Sequence, residues 1–258
     1  MKNAEIERIS GGGGGRTFSG KGFTLSEVLI TLGIIGIVAA ITMPVLVGKY
    51  QDIVCRNKWK SLYSKISNAY LFVKNDLAVS DTDEMFSSIE EEYRILELIK
   101  KKLGVRIGTY ENICPEGQDC SYGGGNIESY KTLYGTGMNP YSFGGYIDSD
   151  NGLNTVWYSL EGATVYFRAN SFYDMFVIYI FVDVNGIQSP PNILGRDFFA
   201  LVITPPGACP VGANCGYRPQ YFKDSCTSEK EVYASSLTGM HHGSPISGIG
   251  CSSDMLLK

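Results

Sequence analysis

The sequence predicts an α+β fold: a long N-terminal helix, a shorter second helix, then an antiparallel β-sheet with disulfide-linked loops. Three observations predict it. An uncharged run from Val28 to Gly48 covers 21 residues and passes into apolar residues at helical spacing. Strand-forming segments cluster only after residue 154. The connections between those segments are short, which favours antiparallel pairing. Helix first and a meander after it is an α+β order. With 258 residues, 44% of them apolar and 19% charged, the chain is long enough to bury a sizeable core.

Residues 1–22 hold four basic and two acidic residues and five consecutive glycines, so nothing in them can bury apolar surface. The character changes at Phe23. The run Val28–Gly48 is long enough to cross a bilayer core of about 30 Å as a helix. The basic residues before it keep the start of the chain in the cytoplasm and deliver the remainder outside. An ordinary secretory signal has a shorter apolar region, about 7–15 residues, ending at small residues. Ala39 and Ala40 could serve, but the run continues through Ile41 and Val45–Val47. A plain membrane anchor is the other simple reading. Neither explains Glu27, because a carboxylate at the head of a membrane segment costs at least a few kcal/mol unless it has a partner.

The stretch Lys21-Gly22-Phe23-Thr24-Leu25-Ser26-Glu27, followed by the apolar run, resembles the prepilin cleavage and methylation motif of type IV pilins and type II secretion pseudopilins. The resemblance implies cleavage between Gly22 and Phe23 by a prepilin peptidase on the cytoplasmic side, and methylation of the new amino terminus at Phe23. It makes Glu27 the fifth mature residue, where the family's glutamate neutralises the terminus of a neighbouring subunit, and Pro44 the family's helix-kinking proline. Ser26 departs from the pattern, since a larger apolar residue is more frequent there, and the leader is long for the family. The implied organisation is a leader at 1–22, a transmembrane and filament-core helix at 23–48, and an extracytoplasmic pilin-like domain at 49–258. The implied partners are the peptidase, other pilin or pseudopilin subunits, and inner-membrane lipid. The implied location is the bacterial inner membrane, with a single pass, and then a periplasmic or extracellular filament. An ion pair among apolar helices is directional and punishes mispairing, so it can set register even where its net stabilisation is small.

After Gly48, Trp59, Leu62, Tyr63, Ile66, Ala69, Tyr70, Val73 and Leu77 recur at spacings of three and four, the stripe of an amphipathic helix. One helix is therefore expected from Phe23 to Leu77, bent or loosened at Pro44 and Gly48. A second helix is expected over Asp83–Leu103, capped by Asp81 or Asp83, with Met85, Ile89, Tyr93, Leu96, Ile99 and Leu103 on one side and Glu90–Glu92 facing water. Residues 104–154, rich in Gly, Tyr, Asn and Ser, read as a long irregular surface region. Strands are expected at Thr155–Ser159, Thr164–Arg168, Met175–Val184 and Phe198–Thr204. In the second of these, Ala163, Val165 and Phe167 alternate with Thr164, Tyr166 and Arg168, as for one buried and one wet face. Phe176–Val182 has no polar break, so its strand is expected to be central.

Two sets of site residues stand out in the exported part. Asp183, Asn185, Asn192 and Asp197 offer oxygens around a strand-to-strand loop that could hold calcium, which takes six to eight such ligands. The competing reading is that Asn185-Gly186 makes a turn and Asp197 bonds locally. The segments Cys114–Cys120 and Cys209–Cys215 share the form Cys-Pro-x-Gly-x-x-Cys, and each is expected to close a small loop. Cys226 and Cys251 form the remaining late pair, and Cys55 stays free. Zinc is the alternative, although the spacing within each pair exceeds the usual two to four residues. The net charge of −4, the pI near 5.3 and the lack of a strongly basic stretch argue against nucleic acid as a partner. His241 and His242 are the only histidines, and no catalytic constellation emerges. Two functions from different classes follow: a filament subunit that is not an enzyme, and a membrane-tethered ligand-binding module that does not polymerise.

Overall fold

The structure, a computed structural model, describes residues 22–77, 88–107, 130–138, 157–172, 175–186, 189–215, 224–227, 229–230, 233 and 246–257. The chain divides into two compact units, Met1–Gly48 and Lys49–Lys258. Helix α1 is Leu25–Asp76, so the expected helix is found with its ends displaced by a residue or two. Its part in the first unit buries no large side chain. Its part in the second unit buries Cys55, Trp59, Leu62, Ile66, Ala69, Tyr70 and Val73: Cys55 joins the predicted stripe, while Tyr63 and Leu77 are only partly buried.

Helix α2 is Ile89–Leu103. The expected caps Asp81 and Asp83 lie outside the described residues; the cap that is seen is Ser88, whose Oγ accepts from the Glu91 amide at 3.3 Å. The helix stops at Gly104, in the left-handed conformation at φ 64°, where glycine carries no steric penalty. Glu90 and Glu91 in its first turn and three lysines in its last complement the helix dipole.

The sheet has six strands in the order β1 (Arg106–Ile107), β4 (Trp157–Leu160), β5 (Ala163–Phe172), β6 (Met175–Asp183), β7 (Phe198–Thr204) and β8 (Gly207–Pro210). Every neighbouring pair is antiparallel. The strand with the unbroken apolar run, β6, is central as expected. A separate two-stranded ribbon joins β2 (Tyr130–Lys131) to β3 (Gly137–Met138). Helices α3 (Asp224–Thr227) and α4 (Cys251–Leu257) complete the order.

One face of the sheet carries Val165, Ile178, Ile180, Val182, Phe199, Leu201 and Ile203, packed with the α1 stripe and with Ile95, Leu96 and Ile99 of α2. At its centre Trp59 stacks on Phe199, with ring centroids 5.1 Å apart and planes 17° from parallel. The Trp59 indole N–H donates to the Ser252 carbonyl at 2.9 Å. Buried aromatics of this size typically cost about 3–5 kcal/mol to truncate.

The opposite face corrects the expectation of a wet side. Tyr166, Tyr179, Phe181, Phe198 and Val202 are buried there with Tyr130, Leu194, Val211, Ile246 and Ile249, as a second core. The alternation of faces is as expected, but segments from four parts of the chain, around Tyr130, Leu194, Val211 and Ile246–Ile249, cover the outer face. The same core corrects residues 104–154 as purely irregular surface: Tyr130 is fully buried and begins a strand, and β1 and β3 also lie in that region.

The C-terminal segment is held from several sides. The Ala200 amide donates to Ser252 Oγ at 2.9 Å and the Gly250 amide to Ser225 Oγ at 2.8 Å. The Ser253 amide donates to the Val211 carbonyl at 3.1 Å. Gly212, at φ 96°, shows how close this packing is: a Cβ there would lie 2.1 Å from the Gly250 carbonyl oxygen. Disulfides join Cys226 to Cys251 and Cys209 to Cys215, and Cys55 is a buried free thiol. Cys114, Cys120 and the two histidines lie outside the described residues.

Two details of α2 differ from the sequence reading. Tyr93 is exposed and Ile95 takes the buried position, so the apolar stripe is rotated along the helix. Glu92, expected in water, is fully buried, one and two turns before Ile95, Leu96 and Ile99 on the same face. Both its carboxylate oxygens lack a hydrogen-bond partner among the described residues. Burial pushes the Glu92 carboxyl up to about 8, far above an unfolded glutamate. The folded state therefore favours the protonated acid: this stability is complete below the unfolded pKa and is lost as pH rises through about 8. The melting temperature should fall by several degrees between pH 5 and pH 9, at about 2–4 °C per kcal/mol for a domain of this size. Glu92→Gln should flatten that slope, as thermal unfolding followed by circular dichroism across pH would register.

Candidate processing and assembly site

The first unit holds the residues that the sequence singled out for processing. Gly22, Phe23 and Thr24 precede α1, and the Phe23 side chain is 86% exposed. Thr24 caps the helix. Its Oγ1 accepts from the Glu27 amide at 3.3 Å, while the Glu27 carboxylate accepts from the Thr24 amide and hydroxyl, both at 2.9 Å. This is the reciprocal capping box of the pattern Thr-x-x-Glu, which satisfies backbone donors at the start of a helix. Sequence reasoning placed Glu27 at the head of the segment and missed Thr24 as its partner. The signal was available, because a threonine three residues before a glutamate just ahead of an apolar run is that pattern.

Beyond the cap, Glu27 is the only charged residue between Gly22 and Gly48. The large apolar side chains of this part of the helix all lie on its surface, from Val28 at 41% to Leu25 at 79% exposure. The helix is long and apolar enough to cross a membrane by length and composition. Its hydroxyls are turned onto its own backbone: Thr31 donates to the Val28 carbonyl at 3.0 Å and Thr42 to the Val38 carbonyl at 2.9 Å. That removes polar groups from a surface with nothing polar to meet. No atom lies within 4 Å of where a Cβ would stand on Gly33 or Gly36, so another helix could approach closely at both. Pro44 lies inside the helix and deprives the Ala40 carbonyl of its usual donor.

In the second unit the structure brings Asp183, Asn185, Asn192 and Asp197 into one loop. Asp183 Oδ1 accepts from the Gly186 amide at 3.0 Å and the Asn185 amide at 3.3 Å, and its Oδ2 accepts from the Tyr130 hydroxyl at 2.9 Å. Asp197 accepts from the Asn192 amide at 2.8 Å, from the Ile193 amide, and from the Asn185 side chain at 3.3 Å. Asn192 holds a left-handed conformation, φ 52°, which asparagine tolerates better than most residues. Burial pushes the Asp183 carboxyl up to about 7, opposed by the Tyr130 bond and reinforced by Asp197. The donor set is all oxygen, as a hard cation prefers, and among the described residues the buried Asn185 Oδ1 has no hydrogen-bond partner. Six N–H or O–H donors already converge on the two carboxylates, however. The loop is closed by these hydrogen bonds.

Residues 19–43 match the family model described as a prokaryotic N-terminal methylation motif, the signature of type IV pilins and pseudopilins. The match covers the cap, Glu27 and most of the apolar helix. No curated protein and no solved structure is significantly similar to the chain. The chain thus combines a pilin-type methylation motif with an α+β, pilin-like fold, and the pair of features supports a pilin-like or pseudopilin subunit anchored in a membrane by a single pass.

Loss of a capping hydroxyl typically costs about 1 kcal/mol of helix stability. Thr24→Val should therefore make the Glu27 amide exchange with solvent roughly five-fold faster, with amides beyond residue 32 unchanged, as hydrogen exchange in detergent would measure.

Proposed function

We propose that the chain is a prepilin-like structural subunit: cleaved between Gly22 and Phe23, methylated on the amino group of Phe23, and assembled through its N-terminal helix into a filament of the type IV pilus or type II secretion kind. The observation that carries this reading is a helix start with one charge on it. Glu27 heads an otherwise uncharged apolar surface that the described part of the chain leaves uncovered. The boundary between the two compact units at Gly48 and Lys49 supports a division into a leader at 1–22, a filament-core helix at 23–48 and an extracytoplasmic domain at 49–258.

Hydrolysis of the Gly22–Phe23 bond leaves a carboxylate on the leader and an α-amino group on Phe23. That new cation stands beside its own capping box, four residues from Glu27. When helices pack together, the apolar surfaces exclude water, and Glu27 of one subunit exchanges cap bonds for the amino terminus of a neighbour. The exchange is favourable only where the two charges meet, because a carboxylate left alone among apolar helices is heavily penalised. Pro44 and the two open glycines let the helices bend and approach. Partners in this reading are a prepilin peptidase, other pilin or pseudopilin subunits and the inner-membrane lipid in which the precursor waits. The domain beyond Gly48 lies outside the cytoplasm, where its disulfides can form.

The test is the N-terminus. The full chain co-expressed with a prepilin peptidase should yield membrane-extracted protein that begins with N-methylated Phe23, as read by mass spectrometry. A chain still intact before Gly22, with the peptidase active on a control substrate, would leave only a tethered domain.

A further inference from the structure

The basic residues of the second unit gather where α1 leaves the apolar run. From Lys49 to Lys60 the helix carries Lys49, Arg56, Lys58 and Lys60 against one acid, Asp52. That acid is already taken, since Arg196 Nε donates to its carboxylate at 2.6 Å. Lys49, Arg56 and Lys60 form no ion pair among the described residues, and the Arg56 Nε is buried without a hydrogen-bond partner. At 100° per residue, Lys49, Ile53, Arg56 and Lys60 fall within an arc of about 60°, so the three cations form one row. The row rises about 16 Å from first to last at 1.5 Å per residue. Side chains on a helix lean toward its N-terminus, here toward Lys49 and the end of the apolar run.

Two exposed apolar groups stand near it: Ile53, 53% exposed and within the arc, and Tyr50, 67% exposed and about 100° round the helix from Lys49 at the same level. An amphipathic tyrosine with cations just past a membrane segment is the composition of a bilayer interface. The charge stands on the wrong side for topology, however. Under the proposed function these residues lie outside the cytoplasm, where loops next to a span are ordinarily poor in lysine and arginine. The chain as a whole is acidic, with a net charge of −4, so a cationic row there is not a consequence of composition.

We propose that Lys49, Arg56 and Lys60, with Tyr50 and Ile53, dock on anionic phospholipid headgroups of the outer face of the inner membrane. The contact is made while the subunit is stored in the membrane. The inference rests on the proposed membrane anchoring. Phosphodiester anions pair with Lys and Arg, Tyr50 and Ile53 enter the headgroup layer, and each cation close to the surface adds to the attraction. Screening by salt weakens it. Extraction into a filament exchanges these lipid contacts for contacts with other subunits.

The test uses purified full-length protein in mild detergent, titrated with phosphatidylglycerol or phosphatidylcholine, with bound lipid counted by native mass spectrometry. Three forms are compared: wild type, Lys49→Gln/Arg56→Gln/Lys60→Gln, and a control of equal charge change, Lys101→Gln/Lys102→Gln/Lys131→Gln. Equal melting temperatures establish that all three are folded. Wild type and control should retain phosphatidylglycerol at least about ten-fold over phosphatidylcholine, the scale set by three surface cations. The stripe variant should fall below about three-fold. Equal retention of the two lipids, or a preference that survives in the stripe variant, overturns the proposal. So does stripe-dependent capture of duplex DNA without a lipid preference. Protein that never fractionates with membranes refutes the anchoring itself, whereas membrane-integrated protein lacking the preference refutes only the docking.

Discussion

A single helix, α1, must satisfy two surroundings. Between Leu25 and Val47 its apolar side chains stand on the surface, and between Cys55 and Val73 its apolar stripe is buried against a sheet. Water is a poor solvent for the first part and is excluded from the second. That constraint explains the placement of almost every polar group on it. Hydroxyls fold back onto the backbone, Glu27 is tied into a cap, and lysines begin only at residue 49. The domain inherits the second half of the constraint. Its sheet presents Phe199, Leu201 and Ile203 to α1, and the C-terminal segment reaches back so that the Ser252 carbonyl satisfies the one polar atom of Trp59.

Much of this fold was legible in the sequence because helical and strand periodicity are local. The stripe Trp59–Val73 and strands β6 and β7 were read nearly to the residue. What the sequence hid was decided by distant segments. Tyr166 looks like part of a wet face until residues near Tyr130, Leu194 and Ile249 cover it. Glu92 looks like the third member of a solvated acidic run, yet Ile95 and Ile99 fix the buried face of α2 and carry Glu92 with it. Strand β8, with the sequence GACP, has no β-rich composition, and its pairing with β7 makes it a strand.

The processing segment was legible for a different reason. The motif is contiguous in sequence, so it can be recognised without any tertiary contact, and the family match at residues 19–43 spans Gly22, Phe23 and Glu27. Thr24 escaped because a cap is a three-dimensional bond, although its spacing to Glu27 announced it. The Asp183–Asp197 loop shows the opposite difficulty. Its oxygens were countable in the sequence, but whether they face a cation or each other's amides depends on the backbone, which turns six donors onto them. The capping box gives the Glu27 carboxylate hydrogen-bond partners on its own chain, so it is not bare at the head of the apolar helix.

The most direct measurement of the central claim is the amount of protein recovered in filaments sheared from cells that carry the cognate assembly machinery. Wild type should be compared with Glu27→Ala, and membrane insertion monitored in both. The account predicts filaments from wild type, and loss of most filament protein from Glu27→Ala while the precursor still inserts in the membrane. Processed wild-type subunits that remain dispersed in the membrane, or a Glu27→Ala variant that assembles as well as wild type, would contradict it.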